Sequence, residues 1–284
     1  MNQTKALIIK EWHTHKRTLI TPLFAVAGFY AVVLLGLLIN LIKGHDLMAT
    51  MNVGSVEPST LSMIAWVSNL SVVALIGLIS IISALSLSDN IINGDHKKHC
   101  EILHLSQPLS ILKLFTVKYM VMILGSLIVL FAVALVNALI MNSVMNYVAG
   151  TSFVIGMTGM IQGYLDVAFA LLFVSSLYWM FATIFKSKPF FKGTLAIFSI
   201  EVTIRILNYL VGWQIPSIAT YLIRLSSVTI SFNDSMPHVQ NLDVPYLISM
   251  KWSSIAGIDN LMKVVYSAIC FVAGYFIFKK REVL

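Results

Sequence analysis

The chain has 284 residues, of which 58% are hydrophobic and only 11% carry a formal charge. A soluble domain carries about 25% charged residues, so soluble enzymes, disordered chains and disulfide scaffolds are excluded, and the mean hydropathy of +0.88 fits a chain solvated largely by lipid. The net charge of +7 would suit nucleic acid or lipid headgroups, and the positions of the basic residues decide for headgroups.

In chain order, residues 1–18 come first. Trp12 follows Ile9 and Ile8 by three and four residues, with Lys5, Lys16 and Arg17 nearby. That spacing predicts an amphipathic helix lying in the membrane interface; a plain basic flank of the first span is the alternative. A transmembrane helix needs about 20 apolar residues, and six stretches qualify. They are Leu19–Ile42, Leu61–Leu87, Tyr119–Met141, Ile161–Phe185, Phe190–Trp213 and a last one that ends at Phe278. The last must begin near Asp259, with Lys263 snorkelling to the outer interface. The segment Ile215–Ile230 contains Pro216 and Arg224, with Ile218, Leu222, Leu225 and Thr229 on one side. It reads as a re-entrant or interfacial helix within an outer region 214–258, not as a seventh span.

Fourteen of the 19 lysines and arginines fall on one side of these six spans. They cluster in the N-terminal arm, in the loop after the second span, in the loop after the fourth and at the C-terminal end. The positive-inside rule then places both termini in the cytoplasm of a plasma-type (inner) membrane. The fold class expected is an all-α membrane protein with one permease-sized unit over 1–284.

The cytoplasmic loop 88–118 is the most informative polar segment. Asn93-Gly94 is a turn signal, and residues 95–105 read as a short two-faced helix, stopped by Pro108. Such a helix offers a cytoplasmic partner a surface; a solvated connector is the alternative. Asp95, His96, His99, Cys100 and His104 also resemble a metal set, but Lys97 and Lys98 among them would repel a cation, so no metal is expected. No P-loop, H-E-x-x-H, G-x-S-x-G or G-x-G-x-x-G motif is present, and energy must come from an ion gradient or another subunit.

Three ionisable residues lie inside the spans. At 1.5 Å per residue from Phe190, Glu201 is about 16 Å deep and Arg205 about 22 Å. They stand at i, i+4 in the favourable order. Asp166, nearer the outer edge, is expected to reach Arg205 or water. Ionisable groups at this depth face the protein interior; they either line a conduit or pair to orient helices. Asn137 and Gln162 are expected to be interhelical hydrogen-bond partners.

Several of these segments together resemble the ABC-2 type permeases, the membrane subunits of ATP-binding-cassette exporters. The resemblance is carried by an elbow-like Ala6–Trp12 and by Gly94, Glu101, Ile102–Leu105, Pro108-Leu109-Ser110 and Lys118-Tyr119 in the second loop. It extends to the closing Phe278-Lys279-Lys280-Arg281-Glu282. It implies six spans, an elbow helix formed around Ile8, Ile9 and Trp12, and outer re-entrant helices before the last span. It implies a coupling loop in which Lys97, Glu101, Leu103, Leu105 and Pro108 meet an ATPase. It also implies two ATPase subunits carrying ATP and Mg, a second permease copy or a similar permease, and no catalysis or cofactor in this chain. The rival readings are an ion-coupled secondary transporter using Asp166, Glu201 and Arg205, and a membrane-embedded metal-dependent enzyme.

Overall fold

The computed structural model describes residues 3–43, 57–97, 110–227 and 244–283. Among these the chain is helical without a strand: α1 (Gln3–Leu19), α2 (Thr21–Ile42), α3 (Pro58–Lys97), α4 (Ile111–Ala149), α5 (Phe153–Ile184), α6 (Pro189–Val211), α7 (Ile218–Ser226), α8 (Val244–Ile255) and α9 (Ile258–Val283). Six stretches are long and apolar enough to cross a membrane: Thr4–Asn40, Ser59–Gly94, Ile111–Ala149, Phe153–Ile184, Pro189–Val211 and Val244–Arg281. The chain is a multi-pass membrane protein.

Local chemistry sets the helix ends. Ser110 caps α4 by accepting from the Lys113 N–H, and Gly150 closes that helix at φ 61. Pro189 opens α6, where its missing N–H costs nothing, and Gly212 ends it at φ 71. α1 and α2 meet at Ile20, one residue before the Thr21-Pro22 start of α2.

The interior is built by α3, α4, α5 and α9. Leu87, Ile91, Met122, Leu130, Val167 and Leu171 are buried together there. Phe115 anchors the aromatic part, 5.5 Å from Trp179, 5.3 Å from Phe271 and 5.2 Å from Phe278 between ring centroids. α3 and α5 approach most closely where Gly77 faces Val167 and Gly159 faces Trp66. By contrast, α2 and α6 turn most of their apolar side chains outward, Phe24, Val32, Phe198 and Leu210 among them. In lipid such exposure is favourable, since lipid tails are as apolar as leucine.

Three expectations need correction. The second span does not turn at Asn93-Gly94; α3 runs on to Lys97. Asn93 is fully buried and hydrogen-bonded to other helices, so its amide is not available for a turn. The loop expected over 88–118 is shorter for the same reason, because α4 already begins at Ile111 and Lys118 lies buried within it. The third span, read as Tyr119–Met141, is a 39-residue helix; hydropathy marks the part in lipid, whereas capping and packing set the helix.

Ser152 and Ser187 are exposed and lie just beyond the two ends of α5. This 32-residue helix is about 48 Å long, enough to separate the two sites by a bilayer. In a Cys100→Ser, Cys270→Ala background, Ser152→Cys should react with an impermeant maleimide on intact cells. Ser187→Cys should react only after permeabilisation. The reverse pattern would overturn the orientation drawn from the basic residues.

Candidate functional site

Three polar constructions interrupt the apolar bundle. The first joins four helices at the end rich in basic residues. Asn93 on α3 donates to the carbonyls of Ala182 and Phe185, each at 3.3 Å, where α5 ends. Arg281 on α9 donates to Asn93 Oδ1 at 3.1 Å and to the Thr183 carbonyl at 3.4 Å. The final turn of a helix leaves carbonyls without intrahelical partners, and side chains from α3 and α9 fill that need for α5. Lys118 on α4 donates to the Ile91 carbonyl of α3 at 3.0 Å. The helices on either side of residues 98–109 are thereby fastened to each other and to α5 and α9.

The second construction surrounds Asp166. Its carboxylate is buried and accepts from Lys251 Nζ of α8 at 2.6 Å; Lys263 Nζ of α9 stands 4.0 Å away. One turn earlier, Gln162 accepts from Trp66 Nε1 of α3 and donates to the Ile248 carbonyl of α8, both at 2.8 Å. α8 and α9 are separated by Ala256-Gly257, and Asn260 Nδ2 donates back to the Ile255 carbonyl at 2.9 Å across that break. The two lysines thus enter from the two sides of a broken helix and face one carboxylate. This corrects two expectations. Asp166 reaches Lys251, not Arg205, and Lys263 does not snorkel outward, because the carboxylate holds it inside. Sequence reasoning passed over Lys251 because its partner lies 85 residues away; its standing as the one charged residue of Val244–Ile255 was the available signal.

The third is at Glu201. Its carboxylate accepts from Arg205 Nε at 2.9 Å, as the i, i+4 spacing suggested, and also from Ser217 Oγ at 2.9 Å and the Ala219 N–H at 3.1 Å. The carboxylate therefore sits at the start of α7, where charge and free N–H groups complement each other. Asn208 fixes the returning strand of chain with two bonds to Ile215. Glu201 lies ten residues before the end of α6, about 15 Å along it. The chain after Gly212 thus folds back beside α6 before α7 begins. Arg224 of α7 pairs with Asp259 at 2.8 Å, and Leu225 packs against Phe173 and Val174 of α5. Thr229 lies outside the described residues.

The remaining site residues divide clearly. Of the elbow set, Trp12 turns inward toward Gly125 of α4, while Ile8 and Ile9 are exposed. Leu7 and Glu11, not singled out from sequence as site residues, are buried positions of α1, as is Leu19 at its end. Glu101, Leu103, Leu105 and Pro108 lie outside the described residues, as do His99, Cys100 and His104; Lys97 closes α3. Among the described residues no group of three or more His, Cys, Asp or Glu could hold a metal. Asn137 accepts from the Tyr30 hydroxyl of α2, and Asn69 of α3 donates to Asn142 of α4 at 2.8 Å.

No protein-family model, curated protein or solved structure matches the chain.

Proposed function

We propose that the chain is the permease subunit of an ATP-driven exporter of the ABC-2 type. It would work with a second copy, or a similar permease, and with two ATPase subunits that supply ATP and Mg. The observation that carries this reading is the mounting of residues 98–109. α3 and α4 flank that segment, and Asn93, Lys118 and Arg281 tie them to α5 and α9. A push on a segment held by free helix ends would be absorbed locally. A push on this one passes to four helices together, as a conformational drive from a separate ATPase requires. The chain has no P-loop of its own. The fold-back that Glu201 holds beside α6 supports the outer re-entrant helices expected between the last two spans.

The buried carboxylate between two lysines favours a second reading, an ion-coupled carrier, because intramembrane ionisable groups mark ion pathways. Purification settles between them. The tagged chain, extracted from its own membrane in mild detergent, should bring an ATP-binding-cassette ATPase with it and hydrolyse ATP. Leu103→Asp or charge reversal at Glu101 should weaken that association by about 2 kcal/mol or more, the usual worth of a buried anchor. Insertion of the six spans should be unchanged. Full ATPase retention and transport after replacement of 96–105 by glycine and serine would overturn the coupling assignment, and transport driven by an ion gradient without any ATPase would establish the carrier.

A further inference from the structure

Asp166 presents its two oxygens to two different lysines. Oδ2 accepts from Lys251 of α8 at 2.6 Å, and Oδ1 stands 4.0 Å from Lys263 Nζ of α9. All three side chains are buried. The Lys263 ammonium makes no hydrogen bond among the described residues. A charge-assisted bond spans about 2.8 Å, so Lys263 falls short of one by about 1.2 Å. A desolvated ammonium that stands near a carboxylate without bonding it adds little to the resting bundle, and its place there needs another account.

The two lysines sit on opposite sides of a corner. α8 and α9 are parted only by Ala256 and Gly257. A Cβ at Gly257 would stand 2.9 Å from the Ser254 carbonyl oxygen, so the corner is closed too tightly for a larger residue. α9 has 26 residues, and its length of about 39 Å crosses a hydrocarbon core of about 30 Å by itself. α8 is therefore extra to the span, and its departure leaves the span whole. It is held to the bundle by Lys251 on Asp166, by the Ile248 carbonyl on Gln162 and by Leu247 against Trp66 and Leu70.

We propose that Asp166 exchanges Lys251 for Lys263, and that this exchange lets α8 swing about Ala256-Gly257 as a gate at the end of the bundle away from the clustered basic residues. Withdrawing Lys251 alone would leave a buried carboxylate uncompensated, which is strongly unfavourable. Lys263 prevents this by closing the short distance to Oδ1 as Lys251 leaves. Lys251 in turn regains water once α8 moves off the bundle. One buried pair replaces another, so the two states stay close enough in free energy to interconvert. The open state uncovers Trp66, Gln162 and Asp166, the polar seam between α3, α5 and α8. The exchange belongs to this chain alone and stands whether an ATPase or an ion gradient drives transport.

The test uses the purified full chain in lipid nanodiscs, in a Cys100→Ser, Cys270→Ala background. Leu247 is only 4% exposed, so the rate at which Leu247→Cys reacts with an impermeant maleimide reports the release of α8. Lys251→Met should raise that rate about tenfold and Lys263→Met should lower it about tenfold, a modest shift for a two-state equilibrium. Lys263→Gln should act as Lys263→Met does, and thermal melting shows which variants keep their fold. A lysine that only braced the closed bundle would do the opposite, because its loss would speed the labelling. Labelling unchanged or faster in the folded Lys263 variants would overturn the proposal. Hydrogen–deuterium exchange of the unaltered chain needs no variant. The amides of α8 should exchange well ahead of those at the centre of α5, and equal protection of the two would overturn the proposal as well.

Discussion

Asp166→Ala should destabilise the protein more than any other single loss of a side chain in the polar interior. Asp166 is the carboxylate paired with both Lys251 and Lys263, and both lysines are buried. Without it two buried ammonium groups lose the carboxylate they share. Breaking a buried pair by removing one partner costs about 3–5 kcal/mol, because the other charge is left uncompensated. The Asp166→Leu, Lys251→Met double variant should recover part of the loss, since it removes the close pair at 2.6 Å as a unit. Lys263→Met should be the mildest change. Lys263 stands 4.0 Å from the carboxylate, so its removal sacrifices little attraction and relieves a desolvated charge. Thermal melting of each variant in detergent, followed by size-exclusion chromatography, gives the order. A melting point for Asp166→Ala equal to that of the unaltered chain would show that the cluster carries no structural weight. Lys263→Met as damaging as Asp166→Ala would show that the more distant lysine is the true partner.

The legible and illegible parts of this structure differ by the range of the physics involved. Six spans were legible because a bilayer imposes a length and a composition on each crossing. The Glu201–Arg205 pair was legible because helical spacing alone brings those residues together. Glu201's bonds to Ser217 and Ala219 were not, because they depend on the chain folding back after Gly212. Asp166 was found as an intramembrane charge but given the wrong partner. Its contact crosses from α5 to α8, and no local pattern encodes which of several distant cations a packed bundle will deliver. Asn93-Gly94 misled for a related reason. Taken alone the pair favours a turn, but burial among Asp89, Ala182, Phe185 and Arg281 spends the asparagine on tertiary bonds. Close helix contacts lie along α5 at Gly156, Gly159 and Gly163. Their G-x-x-G-x-x-x-G spacing stands in the sequence and was the signal for where another helix must approach.

Gly159→Ala should separate α3 from α5, and the same substitution at the open glycines of α2 should not. A Cβ at Gly159 would stand 2.6 Å from the Trp66 carbonyl oxygen and 3.0 Å from Trp66 Cδ1. The first contact is with backbone, which has no rotamer to change, so α3 itself must move. That movement also strains the Trp66–Gln162–Ile248 bonds linking α3, α5 and α8. Packed cores lose about 1–3 kcal/mol when a group is forced in. In lipid no hydrophobic force draws the helices back together, because association there rests on close packing and interhelical bonds. Gly159→Leu should therefore leave little folded protein. Gly28 and Gly36 of α2 provide the control, since a Cβ at either meets nothing within 4 Å. Gly28→Ala and Gly36→Ala remove only the entropic penalty of a helical glycine, about 0.5–1 kcal/mol relative to alanine, and should leave stability equal or raised. Melting curves for the three alanine variants test the sign as well as the size. If Gly159→Ala melts with Gly28→Ala, α3 and α5 do not meet at Gly159.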